Sequence, residues 1–257
     1  MPAPKRLLIL GGTAEARRLA AAATARFGAA LAITTSLAGR TQAAAPIAGG
    51  LRRGGFGGAA GLLAYLRKAR IDVVIDATHP FAARISESAL AACRDADIPL
   101  LAVTRPPWRP APDDRWIEVG SAAEAAALLP ARGKRVFLTI GRGELGAFAG
   151  IAHVRFLVRL IEPPSTQLPL DCELILGRGP FTLEQERTII ERHAIDLLVT
   201  KASGGAATAA KLSAARAVGI PVVMLRRPEP SGGASVERIE DAVEWLEERL
   251  VEVSRDL

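Results

Sequence analysis

The stretches "IDVVIDATHPFAARISESALAACRDADIPLLAVTRPPW" (Ile71–Trp108) and "IDLLVTKASGGAATAAKLSAARAVGIPVVMLRRPEP" (Ile195–Pro230) are two versions of one unit. Each opens on Ile-Asp and a short apolar run, then passes through a polar loop into an Ala-rich helical stretch. Each then reaches Ile-Pro, a second apolar run and Arg-Pro. Apolar runs without strict alternation suit strands covered on both faces, and strand–helix–strand with that pattern is a parallel βαβ unit.

The likeness extends outward. "RLLIL" (Arg6–Leu10) meets Gly11 and Gly12 and a helical stretch over Thr13–Phe27, and "RVFLTI" (Arg135–Ile140) meets Gly141-Arg142-Gly143. The openings Arg6–Leu19 and Arg135–Phe148 therefore correspond. Further strands are expected at Leu31–Ser36, Val154–Ile161 and Glu173–Gly177. Helices are expected at Gly61–Ala69, Phe81–Ala96, Ala122–Leu129 and Leu183–His193, with an amphipathic helix at the C-terminus. The expectation is an α/β fold of two related lobes with mainly parallel sheets and a cleft between them. The lobes are expected at residues 1–106 and 135–257, joined by a linker or crossover over 107–134, where "RPPWRPAPDDRW" breaks the pattern. A terminal strand crossing into the other lobe's sheet would move these boundaries.

Composition narrows the function. The chain has 257 residues, 49% hydrophobic but only 4% aromatic, so its core is aliphatic. A net charge of +6 favours acidic partners: a phosphate-bearing cofactor, a polycarboxylate or a nucleic acid. A solvated Arg-rich surface explains the same charge. RNA-binding aromatic motifs are absent and there is one Tyr, which argues against nucleic acid. Cys93 and Cys172 lie far apart in apolar contexts and are expected as buried free thiols, with no metal site and no disulfide. No signal-peptide pattern and no apolar run of about 20 residues occurs, so a cytoplasmic protein, a monomer or small homo-oligomer, is expected.

Candidate site residues gather where strands end. In "LILGGTAEARRLA", Gly11 and Gly12 allow close backbone approach, and the helix N-terminus that follows can hold a phosphate. Thr13 can cap that helix or touch the phosphate, and Glu15 lies in its first turn. These features give the lobes a Rossmann-like reading, although Ala16 stands where a third glycine would be. Sites preferring NAD carry Asp or Glu about 20 residues beyond the glycines. Here "TTSLAGR" offers Ser36 and Arg40 instead, which suits a 2′-phosphate and argues for NADPH. "RGGFGG" brings Gly54 and Gly55 close to nucleotide or substrate, or forms a loop anchored by Phe56. "DATHPFA" follows a strand directly, with Thr78, His79 and Pro80 at its carboxyl end and Pro80 placed to start a helix. His79 can donate a hydrogen bond or proton to a substrate, or bond locally; His153 and His193 read as structural or exposed.

The second lobe supplies Arg142 and Gly143 in "TIGRGELGAF", Arg178 and Gly179 in "LGRGPF", and Lys201, Ser203 and Gly204 in "TKASGG". Jointly these make a cationic rim suited to a polyanion. Lys201 ends a buried strand, where desolvation and neighbouring cations would tune it.

Together "LILGGTAEARRLA", "RGGFGGAAGLLAYL", "DATHPFAARIS", "RPPW", "FLTIGRGELGAF", "ILGRGPF" and "LVTKASGG" resemble the precorrin-6A reductase family, in family order over almost the whole chain. The resemblance implies NADPH-dependent reduction of one double bond of the precorrin-6A macrocycle, giving precorrin-6B, a step of cobalamin biosynthesis. The N-terminal lobe would bind NADPH and the second lobe the polycarboxylate tetrapyrrole, with the proton coming from water or a side chain, His79 and Lys201 being the candidates. Members of the family tend to carry Asn where Ala202 stands, which weakens any role assigned to the side chain at 202 but not to Lys201 or Ser203. The alternatives are a cobalt-precorrin-6A reductase acting on a metallated substrate and, more distantly, a non-catalytic binder of polyanions.

Overall fold

The computed structural model describes residues 3–38, 46–164, 167–229 and 232–252. The chain forms two compact units, Met1–Arg105 with Pro228–Leu257, and Pro106–Arg227.

In the first unit, β1 (Lys5–Leu10) leads into α1 (Ala14–Phe27). They are followed by β2 (Leu31–Leu37), β3 (Gly50–Arg53), α2 (Gly58–Ala69), β4 (Val73–Asp76), α3 (Ala83–Ala96) and β5 (Leu100–Val103). In the second unit come β6 (Trp116–Val119), α4 (Ala122–Arg132), β7 (Arg135–Thr139), a 3-10 segment (Arg142–Phe148), β8 (Arg155–Leu160) and β9 (Cys172–Leu176). That unit ends with α5 (Leu183–Arg192), β10 (Leu197–Lys201), α6 (Ala210–Val218) and β11 (Val222–Leu225). Finally β12 (Ala234–Val236) and α7 (Ile239–Glu252) belong to the first unit.

Each unit holds a six-stranded sheet, in the orders β12-β5-β4-β1-β2-β3 and β6-β11-β10-β7-β8-β9. All pairings are parallel. The first is the doubly wound 3-2-1-4-5-6 order, and the second repeats it counted from β7, with β6 in the sixth place; the ligand crevice of that arrangement lies where the order reverses, outside the carboxyl ends of the first and fourth strands. That crevice falls between β1 and β4 in one unit and between β7 and β10 in the other.

Alternation along β1 explains the layers. Leu7 and Ile9 face the helices α1 and α7, packing with Leu19, Ala20, Ala242 and Leu246. Leu8 and Leu10 face α2 and α3, packing with Leu62, Leu66, Ala89 and Cys93. A strand with helices on both faces must be apolar at every position, which is why "LLIL" shows no alternation. In the second unit Phe137, Leu157 and Leu198 pack against Ile190 of α5 and Leu212 of α6. On its other face Phe148 of the 3-10 segment meets Phe156 edge-on, ring centroids 6.2 Å apart.

The units divide the chain differently from the boundaries read in the sequence. Residues 107–134 are no linker: β6 pairs with β11 as an edge strand and α4 packs on the 3-10 segment. The C-terminal segment is no part of the second unit: β12 pairs with β5, and α7 completes the core around α1. The chain thus fills the sixth strand position of each sheet crosswise. The structure also lacks an α-helix after β7, where the correspondence with Arg6–Leu19 suggested one; a 3-10 segment stands there. Cys93 is buried as expected, but Cys172 is half-exposed because it starts the edge strand β9.

Candidate active site

At the first crevice, Leu10 ends β1 and Gly11-Gly12 turn the chain into α1. Gly12 has φ +113°, a conformation that a Cβ makes costly, and a Cβ there would meet nothing within 4 Å. The turn therefore borders open space. Thr13 Oγ1 accepts from Ala16 N at 3.1 Å, capping α1, and donates to Ala77 O at 2.6 Å. Of the two roles expected for Thr13 the structure uses the cap, and the same hydroxyl ties the turn after β1 to the loop after β4. Glu15 is held by Arg105, 2.6 Å from Nη2 to Oε2. Burial alone would raise the Glu15 carboxyl, but the bond and charge of Arg105 outweigh it and hold the group below its ordinary value. Arg105, the first residue of "RPPW", was not among the expected site residues.

The loop after β4 is organised by Asp76, which is buried. Its carboxylate accepts from Thr78 N (3.0 Å), Thr78 Oγ1 (2.7 Å) and Ser86 Oγ (2.5 Å). These bonds fix Thr78 and the approach to His79. His79 Nδ1 accepts from Phe81 N at 3.2 Å, so the neutral ring carries its proton on Nε2. Pro80 does not start the helix; Ala82 N donates to His79 O at 2.7 Å in an intervening turn, and α3 begins at Ala83.

At the end of β2, Ser36 is buried and its Oγ accepts from Arg52 Nη1 at 3.2 Å. Arg52 was missed because its role depends on the parallel register that sets Ser36 opposite it. Arg40 lies outside the described residues. Gly54 and Gly55 border open space on the glycine-rich loop, where an added Cβ would meet nothing within 4 Å. A helix N-terminus, open glycine edges and a cation on β3 beside the end of β2 are what a dinucleotide phosphate requires, so these residues fit such a cofactor.

At the second crevice, Lys201 ends β10 and its Nζ lies 2.6 Å from Glu144 Oε1, in the segment after β7. Its ammonium is thus paired with a carboxylate. Arg142 is half-buried, and Arg178 is exposed. Ser203 and Gly204 are buried and clamped. Arg227 donates to Ala202 O at 3.4 Å and Ser203 O at 3.2 Å, and Trp108 Nε1 donates to Gly205 O at 2.8 Å.

Behind these loops lies a buried polar group that the sequence reading overlooked. Arg159 and Glu186 form two bonds of 2.9 and 2.8 Å, and Phe181 lies over the guanidinium at 3.9 Å. Lys211, 5% exposed, approaches the Trp108 ring at 5.6 Å. Burial, and then the charge of Arg159, push its ammonium down to about 7, while Glu186 opposes the shift. "RPPW", "GRGPF" and the start of α6 thus meet in one place. His193 is structural, 3.4 Å from Glu173, and His153 is exposed. Cavities of about 190 and 570 Å³ open at the amino ends of the strands, away from all these loops. No helix among the described residues is long and apolar enough to cross a membrane.

The model of the precorrin-6x reductase CbiJ/CobK family matches residues 6–247. The chain belongs to that family. It is 47% identical to a precorrin-6A reductase of Rhodococcus erythropolis, over 94% of this chain and 97% of that one. It is 43% identical to a precorrin-6A reductase of Rhodobacter capsulatus, covering 94% and 95%. To a cobalt-precorrin-6A reductase of Salmonella typhimurium it is 30% identical, covering 87% and 88%. A solved structure of the family, "CobK precorrin-6A reductase", superposes with a TM-score of 0.89 at 40% identity, covering 95% of this chain and 97% of that one. The two-sheet parallel architecture is therefore the family's own.

Proposed function

We propose that the protein is a precorrin-6A reductase of cobalamin biosynthesis that uses NADPH to reduce one double bond of the macrocycle, giving precorrin-6B. The observation that carries the reading is the first crevice: a turn onto a helix N-terminus that is open at Gly12, with Ser36 at the end of β2 and the Arg52 guanidinium beside it. No Asp or Glu occurs between Glu15 and Asp72, so no carboxylate is at hand there for the ribose diol of NADH.

Bound NADPH would supply a hydride. The chain's part is to bind, orient and protonate. Backbone N–H groups at the start of α1 hold the pyrophosphate, with Gly54, Gly55 and Thr78 bordering the nucleotide. Arg142, Arg178 and Lys201 bind carboxylates of the tetrapyrrole, aided by Ser203 and by the backbone of Gly143, Gly179 and Gly204. The proton that completes the reduction comes from water or from a side chain, with His79 and Lys201 as the candidates. Holding the reacting faces together supplies much of the rate.

Higher identity to the metal-free-substrate relatives, 43–47% against 30% or less for the cobalt-substrate ones, favours precorrin-6A over its cobalt complex. The test follows NADPH absorbance with purified protein and metal-free precorrin-6A, with NADH in parallel. Substrate-dependent loss of the NADPH signal is expected. Turnover only with cobalt-loaded substrate would move the assignment to the cobalt branch, and none with either would end it.

A further inference from the structure

We propose that Arg52 reads the 2′-phosphate of the nucleotide, with Ser36 as its partner; this rests on the NADPH reading above. Arg52 sits one residue from the end of β3, in register with Ser36 on β2, at the strand end where the adenosine ribose of a doubly wound fold lies.

Its guanidinium is held as a rigid plate. Nη1 donates to Ser36 Oγ (3.2 Å) and Gly54 O (2.6 Å), and Nη2 donates to Gly55 O (2.9 Å). Cζ lies 3.8 Å from the Phe56 ring centroid and 5.1 Å from that of Tyr65, and the two rings brace each other edge-on. Such a plate loses little side-chain freedom on binding an anion.

A guanidinium has five N–H donors. These bonds use both hydrogens of Nη1 and one of Nη2. Nε–H and one Nη2 hydrogen, on the two nitrogens of one edge, remain, and among the described residues no acceptor is bonded to them. That edge matches two oxygens of a phosphate. Ser36 Oγ accepts from Arg52, so its own hydrogen is free to turn toward the same anion. A residue serving only to staple the glycine-rich loop would need the three bonds and the stacking; it would not need the open edge beside a buried serine.

The test is calorimetric binding to the full chain, with 2′,5′-ADP, 5′-AMP, NADPH and NADH as probes. Arg52→Gln is expected to weaken 2′,5′-ADP and NADPH by about tenfold or more while leaving 5′-AMP and NADH within about twofold. Arg52→Lys, which keeps the charge and loses the fork, is expected to fall between, and it serves if the Gln variant does not fold. Equal weakening of all four probes, or of none, overturns the proposal. If the unaltered protein does not prefer 2′,5′-ADP to 5′-AMP, the NADPH reading fails with it. If it does and the variants keep that preference, Arg52 alone is excluded.

Discussion

Because Phe81 N–H occupies His79 Nδ1, the ring proton sits on Nε2, where it can donate a hydrogen bond to a substrate. If His79 is the acid, His79→Ala lowers kcat by about a hundredfold, in the range for a lost general acid. His79→Gln keeps an amide donor and cannot deliver a proton, so it stays close to the Ala variant; recovery by Gln would make His79 a hydrogen-bond donor only. Lys211 allows a separate prediction. Its ordinary value of 10.5 falls to about 7 in the fold, chiefly by burial, with Arg159 of β8 adding to the shift and Glu186 of α5 opposing it. Between those two values the unfolded chain binds the proton that the folded chain has lost. Stability from this group therefore rises with pH across that window and is lowest below about 7, where a charged lysine must be buried. Arg159 and Glu186 already pair two-to-two, so removing Lys211 leaves no orphaned charge. Lys211→Met is expected to flatten the rise in melting temperature between pH 7 and pH 9. Parallel curves for the two proteins would show that Lys211 does not carry that charge cost.

The loop joining β10 to α6 shows at the scale of elements why its sequence is so constrained. Gly204 has φ +67°, and a Cβ there would lie 2.3 Å from Pro106 O and 2.6 Å from Arg227 Nη2. Gly204→Ala combines a left-handed backbone with a clash against main chain, and is expected to cost roughly 2–3 kcal/mol in urea unfolding. A loss under about 0.5 kcal/mol would mean that the clamp from Pro106 and Arg227 yields easily. That constraint is legible only in part from "TKASGG", since its partners are distant in the chain. The strands show the same limit. Central strands such as "LLIL" and "DVVID" announce themselves because both faces are buried. The strands β3, β6 and β12 were not read, and all three are sheet edges. "GLRR" and "ASV" are mostly exposed, so they carry no apolar run to detect. The fourth edge, β9, was read because "ELIL" happens to be apolar. The site divides similarly: Gly12, His79 and Lys201 follow directly from strand ends, whereas Arg52, Arg105 and Lys211 matter through neighbours that only the fold brings near.

For the whole molecule, both unit boundaries fall between Arg and Pro, at Arg105-Pro106 and Arg227-Pro228, the same point in each copy of the repeat. The first unit hands the chain to the second after β5 and takes it back after β11, so the second unit is one continuous stretch of sequence and the first is two. The first unit then cannot be complete without the C-terminal segment: β12 pairs with β5, and Ile239, Ala242 and Leu246 are buried in the core with Leu19 and Ala20. Ending the chain after Arg227 would expose that face of α1 and the flank of β5 together. Cys93 reports on the outcome, since it is buried in this unit and burial, with the charge of Asp76 adding to it, pushes its thiol up to about 12. In the full chain Cys93 should resist a thiol reagent at neutral pH, because the reactive thiolate is scarce and covered. In the truncated chain it should react at the rate of an unfolded cysteine. Residues 1–105 joined by a flexible linker to residues 228–252 should restore protection, because that chain holds every element of the first unit. Rapid labelling of the joined chain, or protection in the truncated one, would show that the crosswise strand does not complete this core.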